Sequence, residues 1–230
     1  MSRQATKQQT GTEKTMTHSH RSVTIDLLRH GEVAAPPAFF GSTDIALSSL
    51  GIQQMKNSIR LETLRAEQAP WDIIISSPRQ RCWNVAEHVS EQLKIPIRKE
   101  NNLREIHFGQ WDGLSAKEIE EQDPKIFQRY IDNPFEFTPP EGENVHDFRA
   151  RVRSSFDEIK TTHLDQRILI VTHSGVLRSI LCDILNSPAS TLFSIDCPYA
   201  CYSQVKHYYH PQQQSDQLIT HNSRLEHFSS

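Results

Sequence analysis

The apolar run Val23-Thr24-Ile25-Asp26-Leu27-Leu28 passes directly into Arg29-His30-Gly31-Glu32, and this junction decides how the chain is read. A buried strand that ends on Arg-His-Gly carries a guanidinium and an imidazole to its carboxyl end, where open α/β sheets bind their ligands. Arginine offers a planar fork of donors that fits phosphate oxygens. Histidine can attack phosphorus as a nucleophile. Glycine at the next position lets backbone approach a ligand closely.

Similar junctions recur along the chain. Ile73-Ile74-Ile75-Ser76-Ser77-Pro78-Arg79-Gln80-Arg81 is a second apolar strand running into a turn and a helix, with Arg81 near the helix start. Leu103 to Gly113 holds the carboxylate of Glu105 between apolar neighbours. Ile168-Leu169-Ile170-Val171-Thr172-His173-Ser174-Gly175 is a third strand ending on histidine and glycine before a helix. Two histidines, two arginines and a glutamate at strand ends or adjoining loops suit a phosphate ester, with guanidinium charge where other enzymes use a metal.

Strands alternating with helices predict an α/β fold with a mostly parallel central sheet covered on both faces. A helix is expected from a Ser48 or Ser49 cap to about Glu67, and a strand over Trp71 to Ser76. Pro78 suits the first turn of a helix running to Leu93. Ile95 to Arg98 reads as a further strand. Ser115-Ala116-Lys117-Glu118 is a capping box, and the proline- and phenylalanine-rich stretch Asp123 to Pro140 reads as a short helix plus an irregular lid. A long helix from about Asn144 to Lys160, strand Arg167 to Val171 and helix Gly175 to Leu185 follow. Ala200 to Tyr209 and Gln217 to Asn222 look like edge strands.

Composition narrows the class. The chain has 230 residues and a formal net charge of −3, which gives no electrostatic case for nucleic acid or an anionic membrane. No apolar stretch approaches the roughly 20 residues needed to span a bilayer. Met1 to Arg21 is polar with no apolar core, so a disordered leader is expected over residues 1–21 rather than a secretory signal. Residues 22–230 are expected to form a single domain with a cap insertion at about 112–145. Cys82, Cys182, Cys197 and Cys201 show no framework spacing. Cys197 and Cys201 could bridge or bind a metal, but no second pair accompanies them, and reduced thiols in a cytoplasmic protein are the default. His18-x-His20 and His207-x-x-His210 lack partners for a transition metal and are read as solvated. Ser174 lacks the elbow motif of a serine hydrolase.

Six blocks in order resemble the histidine phosphatase superfamily, the group that includes cofactor-dependent phosphoglycerate mutase. They are Arg29-His30-Gly31-Glu32; Gly41-Ser42-Thr43-Asp44 with Leu47 and Gly51; Ser76-Ser77-Pro78 with Arg81; Leu103-x-Glu105 with Phe108-Gly109 and Trp111; Pro140-Glu141-Gly142-Glu143; and Val171-Thr172-His173-Ser174-Gly175. Within that superfamily the likeness is greatest to α-ribazole phosphatases of cobalamin biosynthesis. The resemblance implies a three-layer α/β/α, phosphoglycerate mutase-like fold with the insertion as a small cap, and no metal or other cofactor. It leaves a homodimer open. Between Glu105 and His173 the chain is shorter than the mutase pattern, which favours hydrolysis. Two departures stand out: Pro36 lies six residues after His30, where many relatives carry asparagine, and Arg79 stands where the family usually carries leucine.

On this reading His30 attacks phosphorus, its other ring nitrogen tied to a backbone carbonyl. Arg29, Arg81 and a protonated His173 hold the phosphate oxygens, aided by amides at the helix start near Gly175. Glu105 serves as general acid and then base, its proton favoured by apolar neighbours such as Ile106 and Phe108. Ser174 and Thr43 are further candidates for substrate contact, although Thr43 and Asp44 could as well cap the Gly41 turn. Arg79 is expected to face solvent more than the pocket rim, and Trp111 to be core or pocket wall. The expected substrate is α-ribazole 5'-phosphate, with a broad sugar-phosphate or nucleotide phosphatase as its rival. A non-catalytic phosphoester-binding or scaffold protein is the alternative from another class.

Overall fold

A computed structural model describes residues 21–223 apart from 62, 63 and 65. Its centre is a six-stranded sheet in the order β3-β2-β4-β1-β5-β6. The strands are β1 (Arg21–Arg29), β2 (Ile73–Ser76), β3 (Ile97–Lys99), β4 (Arg167–Thr172), β5 (Tyr202–His210) and β6 (Gln213–Ser223). The first four named here pair in parallel, while β5 and β6 run antiparallel.

Successive side chains of a strand point to opposite faces, and the core divides accordingly. Val23, Ile25 and Leu27 of β1, Ile168 and Ile170 of β4 and Ile75 of β2 share one buried cluster. Over them lie helices α5 (Val145–Thr162) and α6 (Ser174–Ile184), through Phe148, Val152, Phe156, Ile159, Leu177 and Ile180. Leu28, Leu169, Val171 and Ile74 face the other way. There α1 (Ser49–Ser58) and α2 (Gln80–Leu93) cover them, through Met55, Cys82, Val85, Ala86, Val89 and Leu93. The unbroken apolar runs in the sequence are those of strands buried on both sides. Asp26 is the polar residue buried within β1. Fully buried, it accepts hydrogen bonds from Trp71 Nε1 (2.6 Å), Arg167 Nε (2.7 Å) and Gln204 Nε2 (2.9 Å).

Between β3 and α5 the chain leaves the sheet and builds the cap from α3 (Ala116–Gln122) and α4 (Pro124–Asp132). The Ser115–Glu118 capping box opens α3 as expected. The cap has its own cluster, centred on Trp111, Ile119 and Phe137 with Phe39, Phe127 and Tyr130 against them.

Several boundaries differ from the sequence reading. Helix α1 ends at Ser58, not near Glu67, and Arg60 takes a left-handed conformation (φ 52°). The reason lies in the burial of Ile59, Leu61 and Leu64, whose spacing does not keep one helix face. Glu67 lies in a separate short turn over Ala66–Gln68. Pro78 precedes the N-cap Arg79 instead of opening α2. Strand β5 is interior, bonded to β1 on one side and β6 on the other. Arg21, expected in the tail, belongs instead to β1, opposite Tyr209 and paired with Asp165 at 2.6 Å; residues 1–20, with His18 and His20, lie outside the described residues. His207 is buried, with Nδ1 2.8 Å from Asp216 Oδ1, and not solvated. No helix among the described residues is long and apolar enough to cross a membrane.

Candidate active site

The adjacent parallel strands β1, β4 and β2 end at one edge of the sheet, and the turns that follow them bring His30, His173 and Arg81 together. His30 is 7 % exposed. Its Nδ1 lies 2.8 Å from the Gly31 carbonyl. A carbonyl only accepts, so Nδ1 carries the proton and Nε2 keeps its lone pair. Burial, and then the charges of Arg29 and Arg81, push the ring's pKa down to about 3. The imidazole is therefore neutral near neutral pH and able to attack. The expected carbonyl anchor is present.

Gly31 has a different purpose from the one expected. A Cβ there would lie 2.1 Å from the Gly51 carbonyl oxygen, and a Cβ on Gly51 would lie 2.0 Å from the Glu32 oxygen. The close approach is thus between the turn after His30 and the first turn of α1, not between backbone and ligand. Glu32 completes that seam, accepting a 2.7 Å hydrogen bond from the Ser48 hydroxyl, which also caps α1.

Arg29 ends β1 with its guanidinium 4.3 Å from the Tyr199 ring centre, and its Nη1 donates to the Cys197 carbonyl at 2.5 Å. Its Nε is buried with no partner, an unspent donor of the kind a bound oxyanion satisfies.

Arg81 is fully buried and heavily committed. Nη1 donates to the Thr43 carbonyl (3.0 Å), Nη2 to those of Phe40 (2.9 Å) and Gly41 (3.3 Å), and Nε to His173 Nδ1 (3.3 Å). With those donors engaged, Arg81 acts on the site through its charge and by orienting His173. The Arg81 bond makes His173 Nδ1 an acceptor, so the proton sits on Nε2, which donates to Ser77 Oγ at 2.8 Å. Burial, followed by the charge of Arg81, holds His173 well below its usual pKa. His173 is therefore neutral here, contrary to the protonated ring expected from sequence. Its ring meets that of His30 edge-on, with centroids 5.2 Å apart.

Glu105 arrives from the loop after β3 and is 8 % exposed. Its carboxylate accepts from the Gly175 amide (3.1 Å), the Ser174 hydroxyl (3.4 Å) and its neighbour Ile106's amide (3.1 Å). Two of these three donors stand at the start of α6, partners that the sequence reading did not assign to Glu105. A Cβ on Gly175 would stand 2.3 Å from Glu105 Oε1, so glycine there leaves room for the carboxyl group. Ser174 thus meets Glu105.

Thr43, Asp44 and Trp111 are engaged in the scaffold around the site. Thr43 gives its amide to Asp112 (2.9 Å) and its carbonyl to Arg81. Asp44 accepts from the Gln80 amide at the start of α2 (2.7 Å). Trp111 lies in the cap cluster, stacked on Phe137 at 5.0 Å. Arg79 is half-buried, its Nε enclosed and unpartnered, so it faces solvent only in part.

Two groups that the sequence reading did not single out hold the site together. Asp112 accepts from the amides of Gly41 (3.2 Å), Ser42 (2.5 Å) and Thr43. Burial works against its charge, yet these bonds keep its pKa below the usual value. Asp112 thereby fixes the loop whose carbonyls hold Arg81. Arg151 pairs with Glu143 (2.7 Å) and donates to the carbonyls of Asn102 (2.7 Å), Arg104 (2.9 Å) and Glu105 (3.1 Å). The Pro140–Glu143 block thus shapes the backbone that presents Glu105.

Comparison with known proteins agrees with this geometry. The model of the histidine phosphatase superfamily (branch 1) matches residues 25–218. Phosphoserine phosphatase 1 of Hydrogenobacter thermophilus is 29 % identical over 185 residues, 80 % of this chain and 86 % of that protein. The adenosylcobalamin/α-ribazole phosphatase of Salmonella typhimurium is 28 % identical over 181 residues, 78 % of this chain and 88 % of that one. The crystal structure of an α-ribazole phosphatase from Shigella flexneri shares the fold, with a TM-score of 0.77 at 24 % identity over 90 % of this chain and 100 % of that one.

Proposed function

The chain belongs to the histidine phosphatase superfamily, and from that premise we propose that it hydrolyses a small phosphomonoester through a phosphohistidine on His30, without a catalytic metal. One observation carries the reading: a neutral His30 with its proton fixed on Nδ1, beside Arg29, Arg81 and a carboxyl group. Nε2 forms a bond to phosphorus as the bond to the ester oxygen breaks, and Glu105 delivers a proton to that departing oxygen. A proton brought in by a monoanionic ester or taken from solvent is passed through Glu105 to that oxygen, which leaves as the alcohol. Glu105 then takes a proton from the water that attacks the phosphohistidine, releasing phosphate and free His30. Charge on the equatorial oxygens is met by Arg29, whose Nε–H is unspent, and by the field of Arg81.

For the alcohol half, α-ribazole 5'-phosphate, and with it a place in cobalamin biosynthesis, is supported by likeness to relatives of that name. A second substrate, a phosphorylated small acid of the phosphoserine type, is supported by likeness and by an observation. Arg79, with its buried unpartnered Nε, adds its positive charge to those acting on His173 and on Arg104. This cation beyond the phosphate cradle suits a second anionic group. A panel with phosphoserine, α-ribazole 5'-phosphate, sugar phosphates and nucleotides separates the readings. Arg79→Leu should raise KM about tenfold for a carboxylated ester, as expected for losing one charge-assisted bond, and leave α-ribazole 5'-phosphate nearly unchanged. Equal effects on both would remove the acid-binding role. No turnover on any ester would favour the binding-protein alternative.

A further inference from the structure

The loop that braces Arg29 carries a second cluster of reactive groups that phosphoryl transfer does not use. Cys197 and Cys201 are both buried, at 1 % and 2 % exposure. Strand β6 brings His221 to them, so that one ligand atom from each of the three residues lies within 4.8 Å of the others. Sequence spacing offered two thiols with no partners; the fold supplies the third from a different strand.

We propose that Cys197, Cys201 and His221 bind a thiophilic divalent cation of the zinc type, tying the Arg29 loop to the edge strand. Two sulfurs and an imidazole nitrogen are the donor set that zinc prefers over harder cations. Tetrahedral zinc sets such donors roughly 3.5–3.8 Å apart, from Zn–S and Zn–N bonds of about 2.3 and 2.0 Å, so closing the cluster on an ion needs movements of about 1 Å. The histidine is already prepared. Its Nε2 lies 2.8 Å from the Asp196 carbonyl, which can only accept, so the ring proton is on Nε2 and the lone pair is on Nδ1. A backbone carbonyl holding the far nitrogen is the usual outer support of a metal-binding histidine. Nδ1 now accepts from the Ser203 hydroxyl at 2.8 Å, and that oxygen is 3.9 Å from Cys201 Sγ. The lone pair therefore points at the Ser203 hydroxyl beside Cys201; that hydroxyl turns aside when an ion binds, and its oxygen or a water is available as fourth ligand. Binding requires the thiols to release their protons to solvent as they become thiolates.

The position gives the ion a consequence, which rests on the phosphatase reading although the metal site does not. The Cys197 carbonyl accepts from Arg29 Nη1, the Cys201 carbonyl accepts from the Arg29 amide at 2.9 Å, and the Ala200 amide donates to the His30 carbonyl at 3.1 Å. Tyr199, between the two thiols, lies against the Arg29 guanidinium. An ion on the two sulfurs thus clamps the wall of the phosphate cradle without touching substrate.

The test uses the full chain, reduced, stripped of metal and loaded with Co(II) or Zn(II). We expect about one equivalent retained on dialysis, a sulfur-to-cobalt charge-transfer band in the near ultraviolet, and a higher melting temperature with zinc. Cys201→Ser should abolish the band and the melting shift, and His221→Asn should weaken binding at least tenfold. X-ray absorption on zinc-loaded wild-type protein needs no variant and should report two sulfurs at about 2.3 Å with nitrogen at about 2.0 Å. No retained metal, a shell without sulfur, or equal retention by Cys201→Ser overturns the proposal. None of these readouts involves turnover, so they stand apart from success or failure of the phosphatase assays.

Discussion

The floor of the site and its cap are built by different means. The floor is the edge where β1, β2 and β4 end, between two hydrophobic layers, and there Arg81 and His173 are fully buried and His30 nearly so. Their positions follow from sheet register: Arg29 lies opposite Thr172, and Ser76 opposite Val171. The cap holds itself together with one small aromatic cluster, and α4 has no fully buried residue. Polar groups can be held at fixed distances only where the surrounding packing resists movement. The floor therefore suits bond-making, and the more lightly packed cap suits selection among alcohols.

The sharpest way to break this division is Glu105→Gln, which keeps the shape of the floor and removes a transferable proton. Loss of kcat/KM should be about 10²–10⁴-fold on alkyl esters and much smaller on an activated aryl phosphate, whose leaving group needs no proton. Equal losses on both would take Glu105 out of the acid role.

A second test concerns the electrostatics of the floor. Nuclear magnetic resonance of the His30 ring should show the Nδ1-protonated neutral form persisting far below pH 6.5, with a midpoint near 3. The folded pKa lies below the unfolded one, so the unfolded chain takes up this proton first. His30 thus costs stability as pH falls from about 6.5 toward 3. A midpoint near 6.5 would mean that the burial and cationic surroundings described here are wrong.

The smallest effect is expected in the cap. Phe127→Ala trims a partly buried member of the aromatic cluster and should change KM a few-fold, by different amounts for different esters, with kcat nearly constant. A uniform fall in kcat would place the cap in the chemistry and erase the contrast with the floor.

The same contrast explains what the sequence disclosed. Arg29, His30 and His173 were legible because each ends or follows a largely apolar strand, and strand ends in an α/β sheet converge. Arg81 was legible as a position but not as a contact, since its partners are carbonyls of a loop some 40 residues away. Asp112 and Arg151 escaped notice because what they hold is backbone, loop amides for Asp112 and the carbonyls beside Glu105 for Arg151, and backbone partners leave no side-chain pattern to read. Gly175 and Gly31 were noticed for the wrong neighbours, because crowding depends on elements distant in sequence. The early end of α1 and the interior place of β5 were hidden for a related reason: tertiary burial of Ile59, Leu61 and Leu64 overrode local helix signals, and only strand pairing distinguishes an interior strand from an edge.

The central claim is the phosphohistidine. Rapid acid-free quenching of the enzyme with a ³²P-labelled ester should trap label on the protein that is acid-labile and alkali-stable, maps to the peptide containing His30, and disappears in His30→Ala together with at least about a 10⁴-fold loss of turnover. Turnover without any trapped label, or label that survives His30→Ala, would contradict it.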